Sequence, residues 1–443
     1  MLQNRIKTFY LVVGDLIIFY VSLVLAILIR HGWPFDVGVF HQSLFPFSFI
    51  FVIWIILFLI SHLYELRHAI NRRKFFEMAF KLFGIGAIIG IIYFYLFVPS
   101  LAPKIVLFLT ILFSLTLFLI WRGLFNRIIE VPKLKVFIIS DTEEAKEINL
   151  FLKKHPQLGY QIEEILSPKN IEDKTEKIIK EIKEKEIDAI VVDAILFESF
   201  FSLFSKFPDI YYKIKIINLV DFYESTIQKI PINLVNPSWF VENYYSKNRE
   251  FYETIKRIFD IFSSIILFIF TLPFWLIIPC LIKIDSPGPI LHKSIRSGLK
   301  GKEFYIYKFR TMVEDASSIG PAWTLKNDSR ITRLGKVLRY LHLDELPQIF
   351  NIIKGDVSFV GPRPEEIKLT KLFKQEVPFY EFRALIKPGA IGWAQLNYPH
   401  GASIEDAKEK LKYDFYYLKN RNIFFDAIIA LKSWRIPFEI PTH

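Results

Sequence analysis

The first 125 residues alternate between long apolar runs and short polar segments. Four runs approach the roughly 20 residues that a membrane-spanning helix needs. They cover Phe9 to Ile29, Leu44 to Ile60, Phe76 to Val98 and Ile105 to Trp121. The pattern predicts a membrane protein with a four-helix transmembrane bundle over residues 1–125. The first run is too long for a cleavable signal peptide and lacks a small-residue cleavage site.

Basic residues between the runs predict the orientation of the bundle. One set of segments is basic: Arg5 and Lys7, then Arg67, Arg72, Arg73, Lys74 and Lys81, then Arg122 and Arg127. The alternate loops hold only Arg30 and Lys104. Because cytoplasmic loops carry the excess of Lys and Arg, both ends of the bundle are predicted to be cytoplasmic. Asp15, inside the first run, is either a functional residue or a structural carboxyl that faces the bundle interior.

Residues 130–248 change to short β-rich runs separated by helical segments rich in Lys and Glu. The runs are Val136 to Ser140, Gln161 to Leu166, Ile187 to Asp193 and Lys213 to Val220. This alternation predicts a parallel, Rossmann-like sheet in a cytoplasmic α/β domain. No glycine follows the first run, where a dinucleotide-binding fingerprint would need one. The sequence therefore favours a structural or regulatory role for this domain over nucleotide binding.

A fifth apolar run covers residues 261–282 and is interrupted by Pro273. A spanning helix here would carry the basic C-terminal segments outside, against the charge pattern. Each half has about 11 residues, or roughly 16 Å of helix, which is too short for a hydrocarbon core of about 30 Å. A helix bent at Pro273 that enters and leaves through one leaflet fits both observations. Lys256, Arg257 and Asp260 precede the run and are expected at an interface.

Composition and charge narrow the classes of function. The chain has 443 residues, is 52% hydrophobic and carries a formal net charge of +11. The positive charge suits a protein that lies against anionic lipid and handles phosphorylated substrates. No nucleic-acid recognition motif is present. Cys280 is the single cysteine and no histidine pair has metal-ligand spacing, so the sequence predicts neither a disulfide framework nor a thiolate metal site.

The segment from Leu338 to Pro364 concentrates groups suited to phosphate chemistry. Asp344 and Glu345 stand at the head of an amphipathic run that predicts a helix, with Pro347 in its first turn. Neighbouring residues on a helix point about 100° apart, so the two carboxylates are expected to have different roles. One could attack phosphorus while the other holds a metal, and base catalysis by either stays open. The alternative is a helix cap with an acid that complements the helix dipole.

Basic side chains around this pair are candidates for phosphate binding. The two prolines of Val360-Gly-Pro-Arg-Pro364 restrict the backbone, so Arg363 is held in place for bidentate contact. Strand-like alternation in Tyr305 to Met312 puts Lys308 and Arg310 on one face. Ordinary ion pairs or a solvated charged face are the alternatives. The predicted phosphate-binding residues are Arg296, Lys308, Arg310, Arg339 and Arg363.

The segment Lys387-Pro-Gly-Ala-Ile-Gly-Trp-Ala-Gln395 has the residue types of a nucleotide site. Gly389 and Gly392 allow close backbone approach, Trp393 offers an aromatic plane, and Gln395 offers an amide that can read a base. A tight turn with a buried tryptophan is the alternative.

These motifs together resemble the polyprenyl-phosphate glycosyl-1-phosphate transferases, bacterial sugar transferases that are also called monotopic phosphoglycosyl transferases. The resemblance is carried by LDELPQIFNIIKGDVSFVGPRP, together with Ser286 to Ile290, Tyr307 to Met312 and Lys387 to Gln395. It covers Phe251 to about Trp434 strongly. Upstream it is weaker and rests on overall layout and the segment Ile230 to Trp239.

The resemblance implies a reaction and a set of substrates. A sugar-1-phosphate would pass from a UDP-sugar to polyprenyl (undecaprenyl) phosphate with release of UMP, starting a surface polysaccharide or glycoconjugate. Asp344 would be the nucleophile of a covalent phosphosugar intermediate, and Glu345 would hold Mg²⁺. Arg363 and Arg310 would bind phosphate oxygens.

The resemblance also implies an architecture. A mainly α catalytic module, residues 250–443, would lie on the cytoplasmic face of the bacterial inner membrane, in contact with lipid and anchored by a re-entrant helix over residues 261–282. A homodimer is a further expectation. The family commonly has Ser-Pro at the helix break, where this chain has Leu272-Pro273, so the stabilising hydroxyl contact has no evident source.

Two functions from other classes remain as alternatives. A membrane-tethered nucleotide-sugar oxidoreductase would use the Rossmann-like domain, but the missing glycine fingerprint disfavours it. A non-catalytic scaffold for polysaccharide assembly is disfavoured because Asp344, Glu345 and Arg363 are all present.

Overall fold

The computed structural model describes residues 2–61, 63–64, 73–98, 104–128, 133–168, 179–182, 184–197, 200, 214–245, 249–314, 316, 328–399, 401 and 403–433. Arg67, Arg72, Lys213 and Trp434, which figure in the sequence analysis, lie outside the described residues. The chain forms two compact units, Met1–Ile227 and Gln228–His443.

The first unit opens with the four apolar helices that the hydrophobic runs predict. They are α1 Leu2–His31, α2 Val37–Ile60, α3 Arg73–Phe97 and α4 Lys104–Ile128. Each is long and apolar enough to cross a membrane. The prediction of four membrane helices is confirmed for the part of the chain that the structure describes, and the protein is membrane-anchored.

Aromatic side chains fill the interior of this bundle. Phe19 and Phe83 each lie 5.0 Å from the ring of Trp54, centroid to centroid. Phe58 and Phe118 are 5.1 Å apart. All five side chains are buried. Because these rings come from all four helices, their packing specifies how the helices associate.

Asp15 pairs with a second buried charge inside the bundle. Its Oδ2 lies 2.6 Å from Arg122 Nη2, and both side chains are almost completely buried. Arg122 Nη1 also donates to the carbonyl of Leu63, and its guanidinium lies over the rings of Tyr64 and Phe118. Of the two roles considered for Asp15, these contacts fit a structural carboxyl that joins α1 to α4.

A parallel sheet with helices follows the bundle. Its strands are β1 Leu134–Ile139, β2 Tyr160–Leu166, β3 Ala189–Val192 and β4 Lys215–Asn218, and the described helices with it are α5 Glu143–Lys154 and α6 Leu219–Ile227. The strand order is β2-β1-β3-β4, with every neighbouring pair parallel. Each strand overlaps a predicted β-rich run. The mixed helix and parallel-sheet domain is therefore confirmed.

The second unit begins earlier in the chain than residue 250. Ile230 and Trp239 are buried in the same apolar cluster as Phe415. The backbone N–H of Ile230 donates to the carbonyl of Lys412. Residues 228–245, which the sequence analysis assigned to the α/β domain, thus pack in the second unit because their apolar side chains complete its core.

Helices dominate the second unit. They are α7 Pro237–Phe240, α8 Glu250–Phe270, α9 Leu272–Asp285, α10 Arg333–Tyr340, α11 Gln348–Lys354, α12 Ile367–Glu376, α13 Trp393–Asn397, α14 Ile404–Asn420 and α15 Ile423–Ser433. The described strands form an antiparallel pair, β5 Leu291–Ser297 with β6 Glu303–Phe309, and a parallel pair, β7 Ser358–Val360 with β8 Gly389–Ile391.

The fifth apolar run forms two helices, α8 and α9, that meet at a bend of 63°. The break lies at Thr271, two residues before the expected position at Pro273. Pro273 instead stands in the first turn of α9, where its missing N–H has no intrahelical acceptor to lose. Thr271 Oγ1 donates to the carbonyl of Leu267 at 2.6 Å and accepts from Trp275 Nε1 at 3.1 Å. Thr271 therefore supplies a hydroxyl at the break.

Lys256, Arg257 and Asp260 tie α8 to the rest of the second unit. Their partners are the Asp426 carboxylate at 2.6 Å, the carbonyls of Ile352 and Ile353 at 2.5 Å each, and the Phe359 N–H at 3.1 Å. These three residues were expected at an interface, and the contacts that the structure shows are with protein groups.

Gly86 on α3 gives a direct test of packing in the bundle. A Cβ at this position would lie 1.7 Å from Nε1 of Trp54, whereas a Cβ at Gly84 meets nothing within 4 Å. Gly86→Ala is expected to cost about 1–3 kcal/mol through overpacking. Gly84→Ala is the matched control and should be neutral or stabilising, since alanine favours helix. Thermal unfolding in detergent measures both, and equal midpoints would contradict this packing.

Candidate active site

Asp344 and Glu345 lie in a single 3₁₀ turn, Leu343–Glu345, between α10 and α11. The sequence analysis placed them at the head of a helix with Pro347 in its first turn. The structure instead makes Pro347 the N-cap of α11, which begins at Gln348. The two carboxylates therefore precede α11 by a few residues and stand on a separate turn, held mainly by tertiary contacts.

The turn is entered through His342, which has a φ of 54°. This left-handed conformation is unfavourable for residues with a Cβ. The backbone reverses direction here, between the end of α10 and the acidic pair. Such local strain persists only where surrounding contacts impose it.

Glu345 is held by two cations from separate segments. Its Oε1 accepts hydrogen bonds from Lys308 Nζ at 2.6 Å and from Arg363 Nη2 at 3.3 Å. Burial raises the pKa of the Glu345 carboxyl, but the charges and hydrogen bonds of Lys308 and Arg363 lower it by more. The net pKa lies well below its ordinary value. Glu345 is consequently a fixed negative charge at neutral pH.

Asp344 differs from Glu345 in its electrostatic environment. Its side chain is only 7% exposed. Burial, followed by the charge of Glu345, raises the pKa of Asp344 above its ordinary value, although Lys308 and Arg339 oppose the change. A carboxylate with a raised proton affinity is a better base and nucleophile once ionised. The two carboxylates therefore lie in different electrostatic environments.

The remaining predicted phosphate-binding residues occupy three different positions. Arg339 donates to Thr311 Oγ1 at 2.8 Å and interacts electrostatically with Asp344. Arg296 pairs with Glu366 at 3.0 Å, within electrostatic range of Arg363. Arg310 donates to the carbonyl and hydroxyl oxygens of Ser286, at 2.6 and 2.8 Å. The structure thus brings Arg339 and Arg296 toward the acidic pair and ties Arg310 to the end of α9.

The two glycines of the predicted nucleotide segment approach protein backbone closely. A Cβ on Gly389 would lie 2.0 Å from the nitrogen of Gly361, and one on Gly392 would lie 2.7 Å from the Gly361 carbonyl oxygen. Gly389 N donates to the carbonyl of Pro362, and Gly361 N donates to that of Ile391. The two glycines therefore let their backbone pack directly against Gly361, and the resulting hydrogen bonds hold the chain segment that leads to Arg363.

Trp393 and Gln395 point into the second unit. The Trp393 ring is buried, its Nε1 donates to the carbonyl of Gln228, and it packs against Phe425. This is the buried tryptophan that the sequence analysis kept as an alternative. Gln395 Oε1 is also buried, and it has no hydrogen-bond partner among the described residues. Nothing in these contacts leads from either side chain to the acidic pair.

The sequence analysis missed a buried ion pair beside Arg363. Arg383 Nη2 lies 2.8 Å from Asp414 Oδ2 and donates to the carbonyl of Arg363 at 2.9 Å. Asp414 stands in a run of buried aromatic and apolar residues on α14. Because an acidic residue is almost never fully buried unless it is paired, Asp414 in this run could have indicated a buried basic partner.

Glu345 is the member of the carboxylate pair that could hold Mg²⁺. Among the described residues no group of three or more His, Cys, Asp or Glu side chains could hold a metal ion. Mg²⁺ in phosphate-handling enzymes is usually held by one or two carboxylates together with substrate phosphates. Both hydrogen bonds of Glu345 go to Oε1. A site made by Glu345 Oε2 and substrate oxygens is compatible with this donor set.

Most of the second unit is similar in sequence to known proteins. Residues 251–439 match the family model described as bacterial sugar transferase. An exopolysaccharide production protein PSS of Rhizobium leguminosarum bv. phaseoli is 42% identical over 181 residues, which are 40% of this chain and 90% of that relative. The chain belongs to the bacterial sugar transferase family. The acidic pair and Arg363 lie inside the matched region.

Longer relatives share the same sugar transferase region. A UDP-N-acetylgalactosamine-undecaprenyl-phosphate N-acetylgalactosaminephosphotransferase of Aeromonas hydrophila is 41% identical over 184 residues, 42% of this chain and 44% of that protein. A UDP-glucose:undecaprenyl-phosphate glucose-1-phosphate transferase of Xanthomonas campestris pv. campestris is 40% identical over 168 residues, 37% and 35% of the two chains. The match thus spans less than half the length of these two relatives.

The strained backbone at His342 predicts an unusual response to substitution. His342→Gly should be more stable than His342→Ala by about 1 kcal/mol, because only glycine adopts φ near 54° without a Cβ penalty. Thermal unfolding of the two variants measures the difference. An alanine variant as stable as the glycine variant would show that the backbone at His342 is not strained.

Proposed function

We propose that this protein transfers a sugar-1-phosphate from a UDP-sugar to undecaprenyl phosphate or a similar polyprenyl phosphate. UMP is released and a polyprenyl diphosphate sugar is formed, which starts an exopolysaccharide or related glycan. The names of the two long relatives specify UDP-sugar donors and undecaprenyl phosphate, and the Rhizobium relative is named for exopolysaccharide production. The carboxylate pair with unequal proton affinities, beside Lys308 and Arg363, is the observation that carries the proposal.

Asp344 is the proposed nucleophile. A carboxylate oxygen of Asp344 forms a bond to the sugar-linked phosphorus, and the bond from that phosphorus to the bridging oxygen breaks, so that UMP leaves with its electron pair. The lipid phosphate oxygen then attacks the same phosphorus and displaces Asp344. Dividing the transfer into two displacements regenerates the carboxylate without a proton donor. The buried environment, which raises the pKa of Asp344, favours bond formation at this oxygen.

The fixed charges around Asp344 bind and orient the phosphates. Arg363 and Lys308 present donors next to Glu345, and Arg339 acts on Asp344 from another side. A bidentate guanidinium or an ammonium matches the oxygens of a diphosphate. Mg²⁺ bound by Glu345 would neutralise charge that develops on the departing UMP. Arg296 extends the same positive surface toward Glu366.

A re-entrant anchor is the proposed membrane arrangement of α8 and α9. Arg257 on α8 binds the end of α11, while Ile278 and Ile282 on α9 pack with Phe309 of β6. Both ends of the bent pair therefore contact one folded unit. Beyond Asp260, its last described polar contact with the unit, α8 continues for about ten residues, or roughly 15 Å, which is half of a bilayer core. We place this unit on the cytoplasmic face of the inner membrane, where nucleotide sugars are found.

The exposed surface of this pair fits lipid contact. Large apolar side chains on both sides of the bend are exposed, among them Phe262, Ile269, Phe270 and Leu276. Exposed apolar patches of this kind mark a membrane or protein contact.

Asp344→Asn provides the chemical test. Incubation with labelled UDP-sugar and no lipid should release about one UMP per active site and leave labelled sugar phosphate on the protein. Asp344→Asn should abolish the label, since the amide is not a nucleophile, whereas Glu345→Gln should keep weak, metal-dependent turnover. The donor panel includes UDP-glucose and UDP-N-acetylgalactosamine.

Other outcomes of this assay discriminate between the functions. UMP release only when both substrates are present, with substantial turnover by Asp344→Asn, would replace the covalent path with direct transfer. No UMP from any donor would favour a scaffold. Binding of NAD without UMP release would favour the oxidoreductase.

Cysteine labelling tests the membrane arrangement. In a Cys280→Ser background, Lys300→Cys should react with an impermeant thiol reagent only after the cells are opened. A control cysteine at Gly38, at the start of α2 and next to the loop predicted to be external, should react in intact cells. Efficient external labelling of Lys300→Cys would mean that α8 and α9 together span the membrane.

A further inference from the structure

We propose that Arg383 and Asp414 form a clamp that positions Arg363 for phosphate binding. This inference rests on the proposed function and adds a positioning pair to it. Neither side chain contacts Asp344 or Glu345 in the described hydrogen bonds, so the pair acts through the backbone that carries Arg363.

The backbone around Arg363 has few ways to be held. In the sequence Pro362-Arg363-Pro364 only Arg363 has an N–H, because proline has none. Carbonyl oxygens must therefore supply most of the backbone hydrogen bonds. Gly389 N donates a hydrogen bond to the carbonyl of Pro362 at 2.9 Å, and Arg383 Nη2 donates one to the carbonyl of Arg363 at 2.9 Å. Arg296 Nη1 of β5 also donates to the carbonyl of Pro364, at 3.4 Å. The segment is thus fixed by β8, by the Arg383 guanidinium and, more weakly, by Arg296.

Every nitrogen of the Arg383 guanidinium has a partner. Its Nε donates to Asp414 Oδ2 at 3.1 Å, its Nη1 donates to the Tyr380 hydroxyl at 2.7 Å, and its Nη2 is shared between Asp414 and Arg363. The planar fork allows these contacts to be made at once, which a lysine ammonium cannot reproduce. Replacement by lysine should keep the charge and lose the geometry.

Asp414 gives the clamp a rigid base. Its side chain is 2% exposed, on the buried face of the 17-residue helix α14. That helix starts with a capping box between Ser403 and Asp406. A carboxylate buried this deeply is stable only when it is paired. The position of Arg383, and through it of the Arg363 carbonyl, is therefore set by α14.

The consequence concerns the side chain of Arg363. Its Nη2 reaches Glu345 Oε1 at 3.3 Å, at the edge of hydrogen-bond range. A displacement of the backbone by a fraction of an ångström would lengthen this contact and move the guanidinium away from the phosphate. Altering the partner that orients a metal-ligating side chain typically costs roughly 10- to 100-fold in affinity or activity. We expect an effect of the same order for a partner that orients Arg363.

A double-mutant cycle separates this role from simple support of the core. The variants are Arg383→Lys, Arg363→Ala and the double variant of the full-length protein in detergent or nanodiscs. UMP release and thermal unfolding are measured for each. Arg383→Lys should lower kcat/KM for the UDP-sugar roughly 10-fold or more. In the Arg363→Ala background the same change should have less than about a threefold effect, because the residue that it positions is gone.

A second buried arginine provides the matched control. Arg421 is 7% exposed and pairs with Glu253 at 3.3 Å, and its described contacts do not include Arg363 or the two prolines beside it. Arg421→Lys should lower the unfolding temperature without reducing UMP release by more than about twofold. If Arg383→Lys does not fold, Asp414→Asn, which keeps the shape of the carboxylate, takes its place in the same cycle.

The outcomes distinguish a failure of the clamp from a failure of the proposed function. Equal fold-losses from Arg383→Lys in the wild-type and Arg363→Ala backgrounds would overturn the clamp and leave the proposed function intact. The clamp is likewise overturned if Arg383→Lys lowers stability while kcat/KM is unchanged. Absence of UMP release by the wild-type protein with every donor would overturn the proposed function itself.

Discussion

The contact of Glu345 with Lys308 and Arg363 is the interaction on which the arrangement of the site depends. It joins the acidic turn, the β5–β6 hairpin and the segment after β7, three parts of the chain that have no continuous secondary structure between them. The three side chains are partly buried, and each charge offsets part of the desolvation of the others. The same charges leave Asp344 as the carboxyl with the higher proton affinity. The same ion pairs thus hold the three segments together and give Asp344 and Glu345 different proton affinities.

Backbone contacts determine how accurately this set of charges is held. Gly389 and Gly361 pack with less space than a Cβ needs, and this brings β8 against the chain that leads to Arg363. Arg257 fixes α11 at its C-terminal end, whereas the acidic turn precedes its N-terminal end. Its guanidinium donates to carbonyls in the last turn of this short helix and ties the helix to α8. A positive side chain at a helix C-terminus is favourable because it meets free carbonyls and the negative end of the dipole. The bent helix pair and the acidic turn are consequently parts of one packed unit.

The bent helix pair is held at its break by contacts of Thr271. The backbone N–H and the hydroxyl of Thr271 both donate to the carbonyl of Leu267, so α8 keeps its last helical hydrogen bond up to the break. The same hydroxyl accepts from Trp275 Nε1, which links the end of α8 to α9. Pro273 then starts the second helix rather than causing the bend by itself. The break therefore involves Thr271 as well as Pro273, and Thr271 supplies the hydroxyl for which the sequence showed no evident source.

Periodicity and composition alone determined the four apolar helices and the parallel sheet, because these features depend on the order of apolar and polar residues along the chain. The choice of Asp344 and Glu345 rested also on the motif that contains them. The role of Trp393 as a core residue, the tie of Arg310 to Ser286 and the place of residues 228–245 in the second unit were decided by tertiary packing. So was the pair Arg383–Asp414, whose members are 31 positions apart along the chain. Charged groups such as Arg310 or Arg383 look alike in a sequence, and only the structure shows whether a guanidinium meets a carboxylate, a carbonyl or open space for a phosphate. Spacing along the chain carries no information on such contacts, since they form between segments that meet only after the core has packed.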